Sequence, residues 1–359
     1  MTDEDIPHKR RVRYRGTHPR GFGEKYKELN SSLYESDTQK VIDRGQTPAG
    51  THRPICVKPI LEILAPKPGE TGLDATLGFG GHAKEILPRL SPGGRLYGID
   101  VDPVELPRTE QRLRNMGFTE SEFVVRRMNF AGMDKLLAET GRGFDFVLAD
   151  LGVSSMQIDN PARGFTFKAE GPLDLRLNPG HGQPAAALLK TCTQGELAML
   201  LYANADEPHA EDIAKVVLMR RGKINTTLEL ADAVRFALKS LPKDIREDET
   251  TTSLQRTFQA LRIAVNDEFG ALDRLLALLP ECLAPGGRVA ILSFHSGEDR
   301  RVKKSFRAFE REGVYASVAP DPIRPSPEER RSNPRSSCAK LRWAVRAGPE
   351  TRTNGRTDP

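Results

Sequence analysis

Three short runs carry the residue types that could do chemistry. The first is Asp74-Ala-Thr-Leu-Gly78-Phe-Gly80-Gly81-His82, an acid followed by a glycine-rich turn, between an apolar run and a helical pattern over 83–90. Glycines at such a turn let backbone amides approach a ligand closely. The second run is Tyr97-Gly-Ile-Asp100-Val-Asp102-Pro103. Its Asp100 stands twenty residues beyond Gly80 at the end of an apolar run, where a carboxylate accepts hydrogen bonds from both hydroxyls of a ribose. The third is Asp150-Leu-Gly152-Val-Ser154-Ser155-Met-Gln157, a carboxylate and small polar residues at a strand end. Open α/β sheets bind ligands outside such ends, so an acceptor group is expected there.

The spacing Gly78-x-Gly80-x-x-Ala83 also suits a nicotinamide dinucleotide, and a tight turn without a ligand is the plain alternative. Asp74 argues for a different cofactor. A carboxylate at the end of the first strand attracts a cationic methionine moiety and repels a pyrophosphate. S-adenosylmethionine is therefore the expected partner of Asp74, Gly78, Gly80, Gly81, His82 and Asp100. The third strand is expected to end at Asn129-Phe130, which puts an aromatic ring where an adenine would lie, with core packing as its alternative.

These runs need a scaffold. Apolar runs at 72–76, 95–100, 122–126, 144–150 and 288–294 alternate with helical patterns, which predicts a doubly wound α/β parallel sheet. More than 130 residues separate the fourth run from the fifth, whereas a crossover needs about a dozen. Helical spacing over 195–221 and 227–241 fills that gap, so an all-helical domain is predicted over 157–254, inserted between sheet segments 51–156 and 255–346. The runs 314–318 and 341–345 are expected to close the sheet as an antiparallel hairpin.

Composition narrows the class. The 359 residues include 54 Lys and Arg against 49 Asp and Glu, a formal charge of +5, with 38% hydrophobic residues and no apolar run long enough for a bilayer. Cys56, Cys192, Cys282 and Cys338 lie far apart, without the paired spacing of a zinc clasp, and suggest ordinary thiols of a reducing cytoplasm. Segment 8–27 holds eight Lys or Arg against Glu24 alone and reads as a flexible basic arm, either solubilising or phosphate-binding, within residues 1–50. Residues 347–359 read as a disordered polar tail. No Gly-x-x-x-x-Gly-Lys loop and no Gly-x-Ser-x-Gly elbow occurs, which disfavours an ATPase and a serine hydrolase.

Taken with His52-Arg-Pro54, Arg163-Gly-Phe-Thr-Phe167, Gly171 to Arg176, Arg256 to Asn266, Ser293-Phe-His295-Ser296, Asn333-Pro-Arg335 and Lys340-Leu-Arg342, these runs resemble the bacterial 16S ribosomal RNA cytosine-N4 methyltransferase family, RsmH or MraW. The resemblance covers roughly residues 50 to 346. It implies a Rossmann-like S-adenosylmethionine-dependent methyltransferase sheet with an inserted all-helical domain for RNA recognition. It further implies transfer of methyl to the N4 of a decoding-centre cytidine in the small ribosomal subunit, with no membrane or DNA partner. Gly80, Gly81 and His82 would contact the methionine end, Asp100 the ribose, Phe130 the adenine region, and Asp150 and Gln157 the rest of the cofactor pocket. The chain departs from the family pattern at Met156, at Gly297 and over 250–256.

The mechanism implied is mostly positioning, because the sulfonium is already a good donor and the cytosine amine a poor nucleophile. Asp150 is the expected acceptor of the amine's proton, a purely structural carboxylate being the alternative. A cytosine must be splayed from folded RNA to reach it, so a phosphate-gripping surface is needed. Arg163, Arg176, Arg256, Arg262 and Arg335 are candidates, each alternatively an ion-paired arginine, with Ser154, Ser155, Asp174, Asn266 and His295 beside the acceptor. The Pro-Pro-Tyr/Phe signature of DNA amino-methyltransferases is missing after Asp150, and an idle RNA-binding factor is the remaining alternative.

Overall fold

The computed structural model describes residues 54–348; the basic segment 8–27, His52 and residues 349–359 lie outside them. In chain order the elements begin with α1 (Val57–Leu64), β1 (Thr71–Asp74), α2 (Gly81–Leu90), β2 (Arg95–Asp100), α3 (Glu105–Asn115), β3 (Phe123–Arg127), α4 (Met133–Thr140) and β4 (Phe144–Asp150). Seven helices follow before the next strand: α5 (Ser155–Asp159), α6 (Ala185–Thr191), α7 (Gln194–Ala205), α8 (Ala210–Met219), α9 (Thr227–Ala237), α10 (Lys243–Asn266) and α11 (Glu268–Cys282). The chain then returns to the sheet with β5 (Leu283–Ser293), α12 (Ser296–Arg311), β6 (Tyr315–Val318), α13 (Pro327–Ser332) and β7 (Lys340–Arg346).

The seven strands lie in the order β3-β2-β1-β4-β5-β7-β6. The first five pair in parallel, and β7 runs antiparallel to both β5 and β6. The closing hairpin is therefore present, with β7 also zipped against β5 from Arg288↔Val345 to Ser293↔Lys340. Strand order reverses between β1 and β4, the position where doubly wound sheets open a ligand crevice. Asp74 ends one of those strands and Asp150 the other.

Alternation along the strands explains why both faces are covered. Leu73, Val147, Ala149, Val289 and Ile291 point to one side and pack with α4, α11 and α12. Leu96, Phe146, Leu148, Ala290 and Leu292 point to the other and pack with α1, α2 and α3. Alternating side-chain direction along continuously apolar strands thus builds two apolar layers on one sheet.

The helices between β4 and β5 have a core of their own, in which Leu197, Leu201, Ile213, Val217, Leu230, Val234 and Leu261 are buried together. The helical spacing over 195–221 is split in two by Asp206, whose φ of 50° turns the chain out of the α region. Residue 254 falls inside α10, a single helix of 24 residues that leaves no break there. Among the described residues no helix is long and apolar enough to cross a membrane.

Candidate active site

A cavity of about 720 Å³ opens over the carboxyl ends of β1, β2, β3, β4 and β5. Its floor is made of Ala75–Phe79, Gly81 and His82 after β1, Asp100–Asp102 after β2, Met128–Phe130 after β3 and Asp150–Ser155 after β4. Opposite stand Phe165, Phe167, Leu175 and Leu177, from the segment that follows α5. Gln255, Phe258, Gln259, Arg262 and Asn266 recur every three or four residues along α10 and give the cavity one helical face. Phe294, His295 and Glu298 close it beyond β5, with Asn333, Pro334 and Arg335 at the rim.

The glycine loop is tightly held. Gly78 N–H donates to Asp100 Oδ2 at 2.8 Å, and the Thr109 hydroxyl donates to Gly78 O at 2.6 Å. Gly80 has a φ of 76° and lies against Thr109, so a side chain there would be strained and crowded. Asp100 also accepts from Asp102 N–H at 2.9 Å. Burial pushes the Asp100 carboxyl above its ordinary range, against the pull of these two amides.

At the switch point, Asp150 N–H donates to Thr76 Oγ1 at 2.6 Å and Asp150 Oδ2 lies 3.3 Å from His82 Nε2. Asp150 Oδ1 is buried and has no hydrogen-bond partner among the described residues. Asp74 is 1% exposed and does not line the cavity; it sits one layer below and accepts from Thr76 N–H at 3.1 Å. Burial, with Asp150 and Asp100 nearby, pushes the Asp74 carboxyl up to about 7, against the pull of His82 and the Thr76 amide. Burial disfavours the His82 cation, but Asp150 and Asp74 outweigh it and raise the imidazole above its usual value.

The other candidate residues divide into two groups. Gly78, Gly81, His82, Asp100, Phe130, Asp150, Ser154, Ser155, Gln157, Arg262, Asn266, His295 and Arg335 line the cavity. Gly80, Arg163, Asp174, Arg176 and Arg256 do not. Ser154 and Gln157 cap α5 reciprocally, and Gln157 Nε2 donates to Asp102 Oδ2 at 2.8 Å. Phe130 opens a short 3-10 turn capped by the Asn129 side chain rather than ending β3, which stops at Arg127.

Most of the arginines have internal work. Arg163 pairs with buried Asp102 at 2.7 Å, Arg176 with Asp174 at 2.7 Å, and Arg262 grips both oxygens of Glu268 at 2.7 and 2.9 Å. Asn266 donates to Leu175 O and Arg262 O and accepts from Leu177 N–H. Arg256 and Arg335 are more exposed, beside Glu249 and Asp159. The family resemblance marked 256–266 as a motif but did not single out Gln255 and Gln259, whose helical spacing with Arg262 was the available signal.

Glu268, His295 and Glu298 bring one potential metal ligand each within 4.8 Å. Glu268 is engaged by Arg262, Glu298 accepts from Phe294 N–H at 2.8 Å, and His295 Nδ1 accepts from Glu298 N–H at 3.4 Å while its Nε2 is buried without a hydrogen-bond partner among the described residues. The His295 bond caps the start of α12. The departure at Gly297 also has a reason here, because a Cβ there would meet the Phe269 ring at 2.7 Å, so the ring fills the space of the missing side chain.

Comparison with known proteins agrees with this architecture. The family described as the MraW methylase family matches residues 49–347. Ribosomal RNA small subunit methyltransferase H 2 of Alkaliphilus metalliredigens is 56% identical over 350 residues, covering 97% of this chain and all of that protein. Ribosomal RNA small subunit methyltransferase H 1 of Lachnoclostridium phytofermentans is 53% identical, with 96% and 95% covered. A methyltransferase H from Heliobacterium modesticaldum is 39% identical over 82% of this chain and 97% of its own length. With a match over nearly all of the described residues and identities this high along whole relatives, the chain belongs to the MraW methylase family.

Proposed function

We propose that this methyltransferase acts on small-subunit ribosomal RNA in the cytoplasm, moving a methyl group from S-adenosylmethionine to the exocyclic N4 of a cytidine in the decoding centre of 16S rRNA. The residues present suit that donor. Asp100 is braced by two amides beside a glycine loop, as a ribose partner should be, and the cavity is large enough for a nucleoside donor and a flipped base together. Bound there, S-adenosylmethionine supplies an electrophilic methyl group on a sulfonium.

The single observation that carries the reading is the Asp150 carboxylate, which lines the cavity at the switch point with its side chain 23% exposed and with Oδ2 3.3 Å from His82 Nε2. An amine N–H donating to this carboxylate would turn the nitrogen lone pair toward the methyl carbon that the bound donor supplies, and Asp150 would accept the N4 proton displaced as the new nitrogen–carbon bond replaces the carbon–sulfur bond. Gln157, Ser154 and Ser155 would shape the floor around the base, with His295 and Arg262 beyond. The helices over 157–254 are the proposed recognition domain, and the exposed Arg256 and Arg335 are the proposed phosphate contacts among the five arginines.

The test is incubation of the purified protein with labelled S-adenosylmethionine and, separately, unmodified 30S subunits, naked 16S RNA and duplex DNA, followed by mass spectrometry of the labelled nucleoside. N4-methylcytidine from a ribosomal substrate is the expected product. Label on DNA, on another atom or on nothing despite donor binding would overturn the assignment.

A further inference from the structure

Asp102 belongs to the same turn as Asp100 but faces the other way. The residue is 1% exposed and its carboxylate accepts four hydrogen bonds. Oδ1 takes Val104 N–H at 2.9 Å and Glu105 N–H at 3.2 Å, at the start of α3. Oδ2 takes Gln157 Nε2 at 2.8 Å and Arg163 Nη1 at 2.7 Å, across the cavity floor. A carboxylate offers about four acceptor sites, so Asp102 has none left for a ligand although it borders the cavity.

Beyond Arg163 the linkage continues. Its Nη2 donates to the carbonyls of Arg176 and Leu177 at 3.3 and 2.8 Å. Leu175 and Leu177, with Phe165 and Phe167, line the cavity as one wall segment. From behind, Asn266 holds the backbone of Leu175 and Leu177. The wall segment 160–183 has almost no regular structure, so its position depends on these side-chain anchors.

We propose that Asp102 is a positioning residue, a clamp that fixes the acceptor wall of the cavity to the donor-binding turn so that donor binding at Asp100 orders the wall. The inference rests on the reading of Asp100 as the donor's ribose partner. Asp100 accepts from the backbone N–H of Asp102 itself, so any adjustment of Asp100 on binding moves the clamp directly. Arg163 is almost fully enclosed, and loss of its counter-charge would leave a buried cation with a reason to leave the wall.

Asp102→Asn keeps the shape and removes the charge. In the wild-type protein, S-adenosylmethionine should slow amide hydrogen exchange in segment 160–178 as well as in the glycine loop; in the variant only the glycine loop should respond. Turnover at saturating donor and RNA should fall by about a hundredfold, as misplacement near 1 Å can cause, with a much smaller change in donor affinity. The pair Asp102→Asn with Arg163→Gln restores a neutral hydrogen-bonded couple and should recover part of what either single change loses; it also serves if the single variant does not fold. Donor protection of 160–178 that survives Asp102→Asn, unchanged turnover, or losses that simply add in the double variant would each overturn the proposal. The exchange measurement needs no RNA, so a different methylated product would sink the functional assignment and leave the clamp standing.

Discussion

At the residue scale, Asp150 lines the cavity while its Oδ2 faces His82, and each contact leads to a measurable consequence. Asp150→Asn keeps the volume but cannot take a proton. Transfer should fall by about 10²–10⁴-fold, the range of general-base contributions, while donor affinity measured by calorimetry stays within a few-fold of wild type. Retained transfer would make Asp150 a structural carboxylate. Below it, Asp74 is pushed up from 3.8 to about 7 and His82 is raised as well. Both shifts mean that the folded site holds protons that the unfolded chain has released, from about pH 4 for Asp74 and near neutrality for His82. Stability stored there is therefore greatest at low pH and is lost as pH rises through the folded values. Asp74→Asn, which keeps an acceptor for Thr76 N–H, should raise the melting temperature relative to wild type at pH 8 and not at pH 4; the opposite pattern in thermal melts would refute the assignment.

At the scale of elements, the acceptor wall depends on glycine as well as on its anchors. Gly164 has a φ of 75° and a Cβ there would overlap the carbonyl oxygen of Pro172. Gly164→Ala should cost about 1–3 kcal/mol, as residues forced into such backbone regions do, and should open 160–178 to limited proteolysis before the sheet. α10 works on two sides at once, with Leu254 and Leu261 in the helical core and Gln255, Gln259 and Arg262 on the cavity. Leu261→Ala should destabilise the protein by about 2–5 kcal/mol, the usual range for a buried leucine, read from denaturant unfolding. Gln259→Ala should leave stability nearly unchanged and lower transfer to RNA.

At the scale of the whole molecule, two kinds of binding meet in one cavity and should respond differently to salt. On the proposed reading the donor would sit among buried groups, where screening is weak, and RNA would be gripped through phosphates by surface cations. Apparent affinity for the ribosomal substrate should fall log-linearly with salt concentration, and S-adenosylmethionine affinity should change little over the same range. Equal salt dependence of the two would place the donor at the surface and contradict the cavity described here. The cavity itself exists only because the sheet ends and α10 come together across more than 100 residues of chain.

The sequence by itself determined the alternation of strands and helices, the glycine turn and the acids at strand ends, because these are local patterns of apolar runs, helical spacing and residue type; the strand order that opens the crevice came from the structure. The sequence also carried the family resemblance, which the relatives bear out. The tertiary structure alone decided what the charged side chains do. Arg163, Arg176 and Arg262 were equally open to phosphate or to an internal acid until Asp102, Asp174 and Glu268 were found beside them. Asp74 had the type and position of a direct contact, yet burial put it under the floor. Asp102 stood in the second run with no role assigned, and its partners lie 55 and 61 residues away. Hydrogen-bond capacity is exhausted by whichever groups happen to meet in space, and spacing along a chain does not record those meetings.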